Sequence, residues 1–100
     1  MAGEVIFPFG DKNGDRAGYS FWCEGCEGYH GVHVYSKNEK TGAQWKFNEN
    51  LIKPTFTPSL HIKFDDVVCH SFVRNGEIQY LNDCTHKLKG KTVPLIPDRD

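Results

Sequence analysis

The sequence sets two thiols on a short loop, Cys23-Glu24-Gly25-Cys26, and two more, Cys69 and Cys84, further along the chain. Thiolates suit zinc, and a Cys-x-x-Cys pair with a glycine inside it, at the end of an aromatic strand, resembles one knuckle of a zinc ribbon. Zinc takes four ligands in a tetrahedron, so Cys23, Cys26, Cys69 and Cys84 form the first candidate set. A set with His86 in place of Cys84, or one recruiting His30, is the alternative. The plain reading is four small buried residues and no metal. A second chemistry is available at His70 and Asp83. A carboxylate beside an imidazole fixes its tautomer and raises its basicity. Ser59, in Thr57-Pro58-Ser59-Leu60, and Ser71 are the serines that could serve such a pair as nucleophile. The plain reading there is that Asp83 caps a helix and His70 packs within a strand.

The element that must position these groups is Val67 to His86. Asn75-Gly76 lies between two runs rich in β-forming residues, the pattern of a two-residue type I′ hairpin. That loop fixes the register: Arg74 opposes Glu77, Val73 opposes Ile78, Ser71 opposes Tyr80 and His70 opposes Leu81. Alternation puts Cys69, Ser71, Val73, Ile78, Tyr80 and Cys84 on one face, and His70, Phe72, Leu81 and Asp83 on the other. Cys69 and Cys84 become diagonal neighbours on the first face, His70 and Asp83 on the second. One hairpin thus separates a thiol pair from a His/carboxylate pair.

The remaining elements are short. Glu4–Phe9 reads as an edge strand ending near Pro8. Tyr19–Cys23 and Gly31–Tyr35 read as strands flanking the Cys-x-x-Cys loop, and Ala43–Phe47 as a further strand. Thr55–Phe64 alternates, with Phe56, Pro58, Leu60, Ile62 and Phe64 toward the core; Pro58 makes it an edge strand or a bulged one. Asp83 is placed to cap a short helix over Cys84–Lys89, stopped by Gly90. Lys91–Ile96 is a last strand. The expectation is one domain over residues 1–100: mainly β, a small sandwich or rolled antiparallel sheet with a zinc knuckle and one short helix.

Composition bounds the function. Aromatics make up 13% of the chain, which argues for a packed core despite the polar average. The aromatic residues could stack on bases, but a net charge of −1 offers no basic groove, so no nucleic-acid partner is expected. No apolar run is long enough to span a bilayer, so no membrane partner is expected either. No signal peptide is read at the start, and the cytoplasm is the expected location, where cysteines serve as metal ligands more often than as disulfides. Nothing in the sequence fixes the oligomeric state.

The stretches FWCEGCEGYH, WKFNENLIKPTFTPSL, VCHSFVRNGEIQYLNDCTH and KLKGKTVPL resemble a family of small tailed-phage and prophage proteins. Its members are often labelled ammonia monooxygenase, although this chain is far too short for that membrane copper enzyme. More remotely, the order Cys-x-x-Cys, Pro-Ser-Leu, His-x-Phe-Val-x-x-Gly is similar to an uncharacterised bacterial family found in operons for ubiquitin-like conjugation. That resemblance implies metal at Cys23, Cys26 and Cys69, and an active site at Ser59 and His70. Together the two resemblances imply a zinc-binding phage accessory protein of the host bacterial cytoplasm, a peptidase or hydrolase acting on a host or ubiquitin-like protein. Ser59 is then the nucleophile, His70 the general base, and Asp83 or His86 the orienting group. Two other readings stand beside it. One is a non-enzymatic binding module that blocks a host defence protein. The other is a catalytic metal held by Cys84, His86 and His70 with an open position.

Overall fold

The computed structural model describes residues 4–97. Among these, eight strands occur: β1 Phe7–Gly10, β2 Arg16–Cys23, β3 Gly28–His33, β4 Lys46–Phe47, β5 Phe56–Phe64, β6 Val67–Arg74, β7 Glu77–Tyr80 and β8 Thr92–Pro94. They form two antiparallel sheets, β1-β2-β3 and β4-β5-β6-β7-β8. The sheets share one core, in which Tyr19, Phe21, Cys23 and Val32 of the first meet Phe56, Leu60, Cys69, Val73, Ile78 and Tyr80 of the second. Just before β4, Trp45 donates its backbone N–H to His33 O at 2.8 Å and ties the sheets at that corner.

The β6–β7 hairpin has the register that Asn75-Gly76 predicts, with Arg74↔Glu77, Val73↔Ile78 and Ser71↔Tyr80. Both turn residues have positive φ, 53° at Asn75 and 79° at Gly76, as a type I′ turn requires. Cys69, Ser71, Val73, Ile78 and Tyr80 are buried as the alternation demands.

β5 departs from a regular strand. Phe56 pairs with Val73 and Leu60 with Ser71, so Thr57, Pro58 and Ser59 all stand against Phe72. The bulge falls where proline cannot donate to a ladder. It turns Pro58 out to solvent, and Phe64 is 46% exposed at the far end of the strand, so neither joins the core face expected for it. β5 is also an interior strand, between β4 and β6, although β4 covers only Phe56 and Thr57.

The helix expected over Cys84–Lys89 is absent; this segment is a succession of turns. The side chains of its first turn are engaged by β6 instead. Asp83 reaches His70 rather than a helix N-terminus. Thr85 Oγ1 accepts the Val68 N–H at 3.0 Å, while Thr85 N–H donates to Val68 O at 3.0 Å. Short polar side chains that bond neighbouring backbone compete with helix formation. What remains are tight turns, Cys84 N–H to Leu81 O and Lys89 N–H to His86 O.

Candidate active site and metal centre

On β5, Ser59, His61 and Lys63 share one face, and on β6 His70 shares it with Phe72. His61 is directly opposite His70, with ring centroids 4.8 Å apart. Ser59, two residues upstream of His61 on that face, becomes the diagonal neighbour of His70. Its Oγ lies 3.1 Å from His70 Nε2. The other ring nitrogen, Nδ1, lies 2.9 Å from Asp83 Oδ2 and 3.3 Å from Oδ1. The hydrogen bond with His70 holds the Asp83 carboxyl below the usual carboxylate range. A hydroxyl, an imidazole and a carboxylate therefore form one hydrogen-bonded chain, the arrangement that makes a serine nucleophilic.

Backbone contacts fix Ser59 and His70. Trp45 Nε1 donates to Ser59 O at 3.1 Å. Cys84 is buried on the opposite face, where its Sγ accepts the His70 N–H at 3.2 Å and donates to His70 O at 3.1 Å. Leu81 N–H also donates to His70 O, at 2.9 Å.

Across the sheet from the serine, Cys23, Cys26, Cys69 and His86 bring one ligand atom each within 4.8 Å of one another. Cys23 ends β2, Cys26 follows in the loop, Cys69 is on β6 and His86 comes from the turns after β7. Cys23 Sγ is 3.8 Å from Cys69 Sγ and 3.2 Å from the Tyr80 hydroxyl, which also receives the Gly25 N–H at 3.3 Å. Gly25 leaves room for the His86 ring: a Cβ there would sit 2.3 Å from His86 Cε1 and force the ring to shift.

The donor set fits a metal ion. His86 Nε2 is buried and has no hydrogen-bond partner among the described residues, a state that costs free energy unless a ligand satisfies it. Without a cation the three thiols cannot all ionise together. The Cys69 thiol beside it holds Cys23 down to about 3, despite burial. Burial and the Cys23 charge push Cys26 up to about 11. Donation to Cys23, then burial, pushes Cys69 far up. A divalent cation removes this mutual repulsion, because coordinated thiols are deprotonated outright. Leu88 N–H points at His86 Nδ1 at 3.2 Å. That donation leaves the ring proton on Nε2, and this proton would have to leave for Nε2 to hold a metal.

The fourth group in the cluster is therefore His86, the alternative in the sequence reading, and Cys84 stands apart, on the backbone of His70. His86 correspondingly lies with the thiols, and the group beside His70 Nδ1 is Asp83. His30 packs edge-on against Phe21 and lies beside Cys23, but is not one of the four. Ser71 is buried on the core face, away from the imidazole of His70. Sequence reasoning missed Trp45, and nothing local to Trp45 signals its bond to Ser59. It also left Tyr80 unassigned, although the hairpin register already set Tyr80 on the thiol face.

No curated protein and no solved structure matches this chain. A family model described as bacterial ubiquitination-like system serine protease (BubE) does match it, over residues 3–81. The matched span takes in Cys23, Cys26, Ser59, Cys69 and His70 and ends before Asp83 and His86. The chain belongs to the BubE family of bacterial ubiquitination-like system serine proteases.

Proposed function

We propose that this protein is a serine peptidase that cleaves a ubiquitin-like protein at or near its tail, with Ser59, His70 and Asp83 as its catalytic residues. The observation that carries the reading is the continuous chain from Ser59 Oγ to His70 Nε2, 3.1 Å, and from His70 Nδ1 to Asp83 Oδ2, 2.9 Å. Ser59 Oγ attacks the scissile carbonyl while His70 Nε2 takes its proton. Asp83 accepts the Nδ1–H bond and stabilises the imidazolium. The tetrahedral intermediate collapses to an ester on Ser59, and His70 returns the proton to the leaving amine. Water, deprotonated by the same imidazole, then hydrolyses the ester. The family's membership of a ubiquitination-like system supports a ubiquitin-like substrate.

Zinc is the metal this reading assigns to Cys23, Cys26, Cys69 and His86, since three thiolates and one imidazole form a closed structural set. Its part is to hold the β2–β3 loop against β6, while Ser59 on the opposite face carries the chemistry. A catalytic metal on Cys84, His86 and His70 is disfavoured by Cys84 and His70 being engaged elsewhere. The sequence resemblance to small phage proteins supports an accessory role in the cytoplasm of an infected bacterium. The four free thiols suit that reducing compartment. A non-enzymatic blocking module has no need for Ser59 and His70 to converge. The test is cleavage of a ubiquitin-like fusion: wild type should process it and Ser59→Ala should not, at equal zinc content and melting temperature. Equal processing by both would overturn the proposal.

A further inference from the structure

The geometry points to the open edge of β5, residues Ser59–Phe64, as the docking site for the substrate tail, which binds there as an added antiparallel strand ending at Ser59. This rests on the serine-peptidase reading and deepens it.

Antiparallel pairs alternate between residues that exchange N–H···O bonds and residues whose backbone groups point away from each other. Two residues of β6 reveal which pairs are which. Val68 spends its N–H and C=O on Thr85, and His70 spends its own on Cys84 and Leu81. Both therefore turn away from β5. Their partners there, Lys63 and His61, belong to the pairs that do not exchange bonds. The N–H and C=O of His61 and Lys63 must then point to the opposite edge of β5. On that side the described strand neighbour is β4, which ends its pairing at Thr57. Both residues are exposed.

The same parity explains Ser59. Its C=O points to that edge too and is taken by the Trp45 indole. Trp45 and β4 thus close the edge on one side of the nucleophile and leave it open on the other. An open row of backbone donors and acceptors is a template for an extended peptide, as in recognition by strand addition. Antiparallel pairing runs the peptide from Phe64 toward Ser59, so the docked residues are those preceding the scissile bond. The enzyme then cuts at the C-terminal end of the strand it holds, and the leaving group departs past Trp45. The occupant is an extended tail, because this edge takes unpaired backbone and ends at Ser59, where a peptide bond must be presented for cleavage.

The test separates binding from catalysis. A fluorescent hexapeptide matching the C-terminal residues of a bacterial ubiquitin-like protein is titrated into the Ser59→Ala protein, and then its singly N-methylated variants. Methylation at alternate positions should raise Kd by about 3–10-fold, the worth of one net hydrogen bond, with the intervening positions near neutral. Lys63→Pro should raise Kd similarly while keeping the melting temperature, because proline is tolerated where the strand N–H faces solvent. Should Lys63→Pro fail to fold, the methylation series decides alone. No binding, or a series without alternation, overturns the edge assignment even if wild type cleaves. Alternation with a wild type that cleaves nothing keeps the edge and overturns the peptidase reading.

Discussion

Cys69 and His70 are consecutive residues whose side chains serve opposite faces of β6: Cys69 joins the thiol cluster and His70 meets Ser59. The turns after β7 repeat the division, with Asp83 on the imidazole and His86 among the thiols. Alternation along a strand lets one peptide link turn a thiol into the Cys/His cluster on the core side and an imidazole toward a hydroxyl on the other. The two sites share a backbone and no side chain, so each can be tested without dismantling the other.

Asp83→Asn should lower turnover by about 10²–10⁴-fold, with KM little changed, because an amide can hold His70 in the wrong tautomer. The carboxyl also makes a pH-dependent contribution to stability. Its folded pKa is depressed, so that contribution is present above the ordinary carboxylate value of about 3.9 and is lost as pH falls through the lower folded value. Melting temperatures of wild type and Asp83→Asn should differ slightly at pH 5 and converge in stronger acid. A gap that widens below pH 3 contradicts this assignment.

The fourth metal ligand is decided by two variants. His86→Ala should lose bound zinc, and Cys84→Ser should keep about one zinc per chain, measured by elemental analysis. The reverse outcome would restore Cys84 to the site. The alternation rule correctly set Cys84 on the buried face with Cys69, but β7 ends at Tyr80 and the chain turns beyond it. Past that point, parity still gave the face of Asp83 and Cys84 but not which side chain reaches the thiols, so the choice between Cys84 and His86 was not legible. The hairpin was legible because Asn75-Gly76 leaves one favoured turn, and with it came the His70–Asp83 pair. Pro58 signalled an irregular strand. How many residues the bulge absorbs, and hence that Ser59 lands diagonal to His70, depends on packing that no local pattern encodes.

Gly25→Ala should weaken zinc binding by at least about tenfold, the scale of disturbing a ligand's support. The new Cβ would overlap the His86 ring, with Cε1, Nδ1 and Nε2 all within 2.5 Å of it. Competition with a zinc-sensitive dye reads this out. Unchanged affinity would mean that His86 is not held against the Cys23–Cys26 loop.

Removing the metal should loosen the fold. With the cation gone, the charge on Cys23 again opposes ionisation of Cys26 and Cys69, and His86 Nε2 is again buried without a partner. A chelator that strips the zinc should lower the melting temperature by more than about 10 °C in a domain of this size. An unchanged melting curve in demonstrably metal-free protein would contradict a structural role.

In the proposed mechanism His70 activates Ser59 by taking its hydroxyl proton at Nε2. A small fluorophosphonate reacts with such an activated serine, and peptide mass spectrometry of the treated intact protein locates the adduct. One adduct per chain is expected, on Ser59, and it should be lost in His70→Ala at unchanged zinc content. No adduct on the wild type, or labelling of Ser59 that persists at the same rate without His70, would contradict that mechanism.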